Sequence, residues 1–142
     1  HRFRLKRFTL VGATTRVGLL SALALRASLD DAGRFARSAE VGPYLGLTPS
    51  RWQTGKTDRR GAITKQGDSL VRAYLYEAAT SLLERQKRDC PLRRWGLAQQ
   101  DRLGKRRTRV AVARKLAVLM HKLWRSGETF DWNRGMGAIT IN

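Results

Sequence analysis

Residues 107–126 read RTRVAVARKLAVLMHKLWRS, and this stretch decides the fold class. Its apolar residues recur at intervals of three and four, which is the spacing of one face of an α-helix. Gly127 follows directly and is expected to end the helix. The predicted buried stripe consists of Val110, Ala113, Leu116, Ala117, Met120, Leu123 and Trp124, whereas Arg107, Arg114, Lys122 and Arg125 lie away from its centre.

Two further helices are predicted immediately upstream. Pro91 is expected to start a short helix, and the basic run Gly104–Arg107 is expected to form the turn that separates it from the last helix. Asp68 can cap a longer core helix that ends near Lys87, because its carboxylate can accept free amide hydrogens of the first turn. Two adjoining apolar rows repeat every four residues in that helix: Leu70, Tyr74, Ala78 and Leu82, and Val71, Leu75, Ala79 and Leu83.

The N-terminal third is also predicted to be helical, so the fold class is mainly α. Residues 17–28 are expected to form an amphipathic helix, whose entry at Gly18 is similar to the start of a helix-hairpin-helix module. Asp30 and Asp31 are expected to cap a second helix that runs to about Glu40. The buried stripe predicted for the first helix is Leu19, Leu23 and Ala27, with Leu20 and Ala24 beside it.

Residues 42–67 form the Gly-rich segment of the chain, with five glycines and two prolines, which excludes one regular helix. Short strands are expected around residues 51–54 and 62–64. Loops held on a rigid scaffold are where chemistry usually lies, so this segment is the predicted functional loop. The alternative is a disordered linker, against which Tyr44 and Trp52 can act as anchors.

The charge balance points to a polyanionic partner. Twenty-nine Lys and Arg against eleven Asp and Glu give a net charge of +18, and such an excess favours contact with nucleic-acid phosphates. From Arg102 to Arg125 there are nine basic residues and no acidic residue. The alternatives are an ordinary solvated surface or a membrane-facing patch. The predicted nucleic-acid contacts are Lys56, Arg59, Arg60, Thr64, Lys65, Arg106, Arg107, Arg109 and Arg114.

The sequence does not have the features of a metal-binding protein or of a membrane protein. Cys90 is the single cysteine and His1 and His121 are the two histidines, so neither an internal disulfide nor a structural zinc site is expected. The acidic residues are scattered, so no metal site of a nuclease is expected in this chain. No run approaches the length of an apolar membrane span and no signal peptide is recognised, so a soluble, cytoplasmic protein is predicted.

Thr54 is the candidate nucleophile of the Gly-rich segment. A hydroxyl can attack a phosphodiester and carry the strand end covalently, provided that a base and cations lie nearby. Gly55 permits close approach of a backbone, and Lys56, Arg59 and Arg60 can offset phosphate charge. The alternative is a threonine that only stabilises a turn. In the same way, Thr64–Gly67 can hold a phosphate at the start of the next helix or form a simple capping turn.

The chain resembles a known family over roughly residues 17–132. It is similar to the C-terminal domain of the 110/116/902 type of insertion-sequence transposases, a bridge-RNA-guided family to which the Piv-type DNA invertases are related. The segments that carry this resemblance are Tyr44–Pro49, Gln53–Gly61, Ile63–Asp68, Leu75–Ala79, Val112–Ala117, Leu123–Trp124 and Phe130.

The resemblance implies a linker remnant at residues 1–16, a transposase C-terminal domain at 17–132 and a tail at 133–142. Members of the family pair such a domain, which bears a nucleophilic serine, with an N-terminal RNase H-like domain whose acidic residues bind Mg²⁺. By position the family's serine falls on Thr54, which keeps the hydroxyl and adds a methyl group. The resemblance further implies DNA as the substrate, a structured bridge RNA as the guide, and homo-oligomers that build a composite active site.

Two functions follow from the sequence. In the first, the chain takes part in DNA transposition and recombination through Thr54 and the RNase H-like domain, without which the isolated chain is expected to be inactive. In the second, it is a non-enzymatic DNA- or RNA-binding fragment of a truncated or decayed transposase. Substitution of Thr54 discriminates between the two functions, because it should abolish recombination through Thr54 but leave nucleic-acid binding intact.

Overall fold

The computed structural model describes residues 16–54 and 57–126, and in this part the chain is mainly α-helical, as predicted. The other residues, among them Lys56, Gly127 and the predicted tail, lie outside it. The helices are α1 (Arg16–Leu29), α2 (Val41–Tyr44), α3 (Ser69–Thr80) and α4 (Pro91–Ser126), and a single π-helical turn, Ser81–Arg85, extends α3. The strands are β1 (Pro49–Thr54) and β2 (Thr57–Ile63), which pair antiparallel.

Helix α4 is a helical hairpin, because its direction reverses at Gly104. The Lys115 ammonium lies 4.1 Å from the Trp95 ring centroid, although twenty residues of straight helix would separate the two by about 30 Å. Gly104 has φ 78° and ψ 162°, a conformation that strains any residue with a side chain. The predicted separation of two helices is therefore confirmed. The predicted basic turn is wrong, because residues 105–107 are already helical and Gly104 alone makes the reversal.

The core lies between α1, α3 and the second arm of α4, residues 105–126. Asp68 caps α3 as predicted, since its carboxylate accepts hydrogen bonds from the amides of Leu70 (2.8 Å) and Val71 (3.4 Å). Of the two rows predicted for this helix, the second is buried throughout, whereas Leu70 is 57% exposed. In α4 the predicted stripe is buried at Ala113, Leu116, Ala117, Met120 and Leu123 and partly buried at Val110 and Trp124.

The buried face of α1 differs from the predicted one. Leu25 and Leu29 are buried, whereas Leu23, placed on the predicted stripe, is 43% exposed. The helix is apolar on most sides, so the spacing of its leucines fits more than one face. Ser21 is fully buried and donates a hydrogen bond to the Tyr74 carbonyl oxygen (3.0 Å), which orients α1 on α3. Residues 16–18, the predicted entry, belong to α1, and the residues before Arg16 lie outside the described part, so the helix-hairpin-helix-like start stays a prediction.

The helix predicted from Asp30 to Glu40 is wrong. This segment forms two short 3₁₀ turns, Ala32–Arg34 and Ser38–Glu40, and Asp31 caps the first by accepting a hydrogen bond from the Gly33 amide (2.9 Å). Side chains of α4 bind its backbone: Arg125 donates to the carbonyl oxygens of Phe35 and Ala36, and His121 bonds Ala32. These tertiary bonds satisfy carbonyl groups that a helix would satisfy internally.

No helix within residues 16–54 and 57–126 has both the length and the apolar character needed to cross a bilayer.

The buried His121 predicts a pH-dependent stability. Its Nε2 lies 2.8 Å from the Ala32 carbonyl oxygen, which can only accept, and its Nδ1 lies 2.8 Å from Ser38 Oγ. Nε2 therefore carries a hydrogen and donates it to Ala32, whereas the Ser38 hydroxyl can either donate to Nδ1 or accept from it. Burial lowers the pKa of His121 below its ordinary value of 6.5. Below that pH the unfolded chain binds a proton that the folded chain resists, so stability is full above pH 6.5 and falls with further acidification.

Urea unfolding in a pH series through the range below pH 6.5 measures this loss. The variant His121→Asn keeps a donor and an acceptor but does not titrate, so it should be less stable at neutral pH and should show a shallower pH dependence. Parallel pH profiles for the two proteins would contradict a neutral, buried His121.

Candidate nucleic-acid interface

The predicted Gly-rich loop is an ordered hairpin preceded by one helical turn, α2. The register pairs Trp52 with Arg59 and Thr54 with Thr57, and a bulge lies between Pro49 and Arg51. Ser50 Oγ donates to the Ala62 carbonyl oxygen at this bulge (2.9 Å). The strands are therefore longer than the predicted short pieces, and a disordered linker is excluded for the described residues. The two residues that join the strands, Gly55 and Lys56, lie outside the described part.

The base of the hairpin is fixed by close backbone contacts. The amide of Lys65 donates to the Gly46 carbonyl oxygen (3.1 Å), and the amide of Thr64 donates to the Thr48 carbonyl oxygen (3.0 Å). Gly46 has φ +72°, and a Cβ there would collide with the Gln66 backbone and lie 2.8 Å from the Lys65 carbonyl carbon. Thr64–Gly67 is thus a turn that crosses the residues after α2. Its phosphate contact remains a prediction.

Thr54 is the last residue of β1, next to the two-residue link. Alternation along paired strands places register positions 52, 54, 57 and 59 on one face of the hairpin and position 58 on the other. The structure therefore puts the candidate nucleophile position on the same face as one predicted cation position, Arg59, and leaves the Asp58 position opposite. Arg60 follows on β2 beside Arg51 in the register. The nucleophilic role of Thr54 stays a prediction.

A cavity of about 290 Å³ lies between the hairpin base, α3 and the second arm of α4. It contains the predicted contact residue Lys65 and a cation that the sequence analysis did not select, Arg72. One terminal nitrogen of Arg72 donates to the carbonyl oxygens of Leu45 (3.1 Å) and Gln66 (2.7 Å), so the guanidinium is held in place. Besides these two cations, the lining consists of Leu47, Ile63, Ser69, Ala73, Tyr76, Val110 and Ala113.

The basic residues predicted in α4 fall into separate environments. Arg106 and Arg107 are exposed beside the reversal at Gly104, and within the described part of the chain they have no ion-pair partner. Arg109 forms an ion pair with Glu84, and its guanidinium lies 5.9 Å from the Tyr76 ring centroid. Hydrogen bonds to Tyr76 and Glu84 raise the pKa of Arg109. Arg114 packs against Gly42, where an added Cβ would lie 3.0 Å from Arg114 Cγ.

Two buried basic side chains of α4 are not predicted by the sequence pattern. Lys115 is 5% exposed and lies on the Trp95 ring, and burial, with a smaller contribution from Arg114, lowers its pKa. His121 is fully buried. Neither position carries a signal in the local sequence, because the groups that bury them come from the other arm of α4 and from residues 32–38. Across residues 16–54 and 57–126, no three His, Cys, Asp or Glu side chains cluster to hold a metal ion.

The chain is similar in sequence to known transposases. Residues 9–91 match the model of the transposase IS116/IS110/IS902 family. The protein named "Putative transposase y4pF/y4sB" of Sinorhizobium fredii is 34% identical over 126 residues, which are 87% of this chain and 33% of that relative. The transposase for insertion sequence element IS1111A of Coxiella burnetii is 32% identical over 115 residues, 80% of this chain and 32% of that protein. The chain thus spans about a third of the length of these relatives.

Proposed function

Because this chain belongs to the IS116/IS110/IS902 transposase family, we propose that it is the part of a transposase that binds DNA and supplies the attacking hydroxyl from Thr54. The observation that carries this proposal is the place of Thr54, at the end of β1 in a hairpin whose base is fixed by backbone contacts. A nucleophile needs such a rigid support, since small displacements of a reacting group cost large factors in rate.

The proposed reaction is a transesterification at a DNA phosphodiester. Thr54 Oγ forms a bond to phosphorus, one bridging P–O bond breaks, the hydroxyl proton passes to a base, and the leaving sugar oxygen takes up a proton. Lys56, Arg59 and Arg60 lie within six residues of Thr54 in the sequence and would offset the charge that develops on the phosphate. Of these, the Arg59 register position shares a face of the hairpin with Thr54. No three His, Cys, Asp or Glu side chains of the described residues cluster to hold a metal ion, so none of these steps is assigned to a metal bound by this part of the chain, and Mg²⁺ would be held by acidic residues of another domain.

Binding is proposed to rest mainly on phosphate contacts. Arg106 and Arg107 are exposed at the reversal of α4, and the chain as a whole carries a net charge of +18. Such contacts fix the position of a nucleic acid and do not read its sequence. Sequence choice is assigned to a structured guide RNA that pairs with DNA. We also propose that homo-oligomers bring this part of one subunit to the acidic domain of another.

Covalent trapping tests the nucleophile. The chain and its variants Thr54→Ser and Thr54→Ala are incubated with supercoiled DNA, a matching guide RNA and the N-terminal portion of a full-length relative. Protein–DNA adducts are then resolved on a denaturing gel. We expect adducts that map to position 54 in the threonine and serine forms and none in the alanine form. The serine form should react faster, because the γ-methyl group of threonine hinders an in-line approach.

The other outcomes have definite meanings. An adduct in the alanine form would overturn the role of Thr54. If the serine form reacts and the threonine form does not, this chain comes from a copy of the transposase that has lost activity at position 54. If neither form reacts while both still bind DNA, the chain is the non-enzymatic binding fragment.

A further inference from the structure

The cavity beside the hairpin base has the chemistry of a nucleotide site. We infer that it holds one unstacked nucleotide of a single-stranded nucleic acid, with the base beside Tyr76 and the phosphate against Lys65 and Arg72. This inference rests on the proposed nucleic-acid-binding function and deepens it, since it assigns a strand type and a place. The sequence predicts a phosphate contact at Thr64–Gly67, which includes Lys65, but it predicts neither the contribution of Arg72 nor a place for the base.

The size of the cavity limits the ligand. Its volume of about 290 Å³ lies at the lower end of the range of about 300–1,000 Å³ that is typical of small-molecule sites. One planar base with its sugar-phosphate is of this order of size. Bases inside a duplex stay stacked, so a base must leave the stack, or come from a single strand, before it can enter.

The charges of the cavity suit a phosphodiester. Lys65 and Arg72 line it, and no Asp or Glu of the described residues does so. The two carbonyl bonds of Arg72 hold its guanidinium before any ligand binds, so little side-chain freedom is lost on binding. A guanidinium fixed in this way attracts a phosphate of the nucleic-acid backbone. The two bonds to carbonyl oxygens both come from one of its nitrogens.

The remaining lining suits an aromatic base. Tyr76 lines the cavity, and the Arg109 guanidinium, which is paired with Glu84, lies 5.9 Å from its ring centroid. Leu47 and Val110 add apolar surface. Aromatic and apolar surface next to cations is the combination by which proteins hold single strands, because every base has a π-face and every nucleotide a phosphate. An inorganic anion would leave the apolar part of the lining without a partner.

An abasic oligonucleotide separates base binding from phosphate binding. The 142-residue chain is titrated with a short single-stranded DNA and with the same strand in which abasic sugars replace the nucleotides. We expect the complete strand to bind about 5- to 150-fold more tightly, the range that stacking of a base on an aromatic side chain supplies. The same comparison with single-stranded RNA, complete and abasic, shows whether the site prefers ribose or deoxyribose nucleotides.

A cavity-filling variant locates the effect. Ala73 lines the cavity from α3 and is exposed, so Ala73→Leu adds bulk there without changing charge. Ala98→Leu makes the same change at an exposed helical position outside the lining and serves as the matched control. We expect Ala73→Leu to remove the preference for the complete strand and to leave abasic binding unchanged, and Ala98→Leu to behave like the parent chain.

The outcomes separate the two proposals. Equal binding of complete and abasic strands by the parent chain overturns the nucleotide site and leaves nucleic-acid binding intact. An unchanged preference in Ala73→Leu overturns the assignment to this cavity. Failure of the parent chain to bind any of the strands, or duplex DNA, overturns the proposed function together with the site.

Discussion

Replacing Gly46 by alanine is expected to lower the free energy of unfolding by about 3–5 kcal/mol, as the sum of backbone strain and steric overlap. Gly46 has φ +72°, which strains any L-residue with a side chain. A Cβ would also collide with the backbone of Gln66, which cannot move aside as a side chain can. The hairpin base and the turn Thr64–Gly67 must then separate, so DNA binding should weaken along with stability.

Gly104→Ala is the matched control for this experiment. Gly104 also has positive φ, +78°, but a Cβ there would have no atom within 4 Å. We expect a loss of about 1–3 kcal/mol from backbone strain alone. Urea unfolding of the three proteins gives both values, and their difference measures the overlap at the Gly46 crossing. Equal losses would show that the segments after α2 and after β2 are not in firm contact.

The double substitution Arg106→Glu with Arg107→Glu is expected to weaken binding of duplex DNA by about 10- to 100-fold at moderate salt. Both side chains are exposed, so reversal of their charge leaves the core untouched. Loss of two phosphate contacts should reduce the slope of log affinity against log salt by about 1.8. Arg109 is left unchanged, because a glutamate there would face Glu84 and disturb the fold.

The matched control for the charge is Arg85→Glu with Lys87→Glu, which changes net charge by the same amount at two exposed positions. Fluorescence anisotropy over a salt series provides affinity and slope for each protein. If both double variants lose the same affinity, binding follows net charge and not the α4 reversal. If the α4 variant keeps the parent slope, Arg106 and Arg107 make no phosphate contacts.

The helices that the sequence predicted well are those with strong local signals. Asp68 precedes an apolar pattern with a four-residue repeat, and both the cap and the helix are present. Gly104 interrupts a pattern that is otherwise helical, and the chain reverses there. In each case the deciding information lies within a few residues along the chain, which is where propensity and capping act.

The errors arise where distant residues decide. The segment 30–40 has a helix cap, yet His121 and Arg125 bind its backbone and leave it as 3₁₀ turns. The face of α1 depends on the bond between Ser21 and Tyr74, which no pattern within α1 reveals. Periodicity reports how a helix can be buried, and the partner that buries it comes from elsewhere in the fold.

The candidate site was predicted in part. Residue type predicts Thr54, Lys65 and the basic arm of α4, but the sequence places them in a Gly-rich loop with short strands and in a basic turn. The two-residue link Gly55-Lys56 between strand-forming segments is the signal that could have predicted the hairpin. Arg72 was not selected, because only the fold brings it beside Lys65.

The reversal at Gly104 also divides α4 into units of unequal resistance to local unfolding. Of the thirteen buried residues in α4, two, Leu92 and Gly96, belong to residues 91–103, and the other eleven follow Gly104. Regions with few buried contacts open at a lower free-energy cost than the global transition. We therefore expect the first arm to detach and re-form while the second arm stays folded, and the Trp95 cover over Lys115 to open with it, which amide hydrogen exchange would measure.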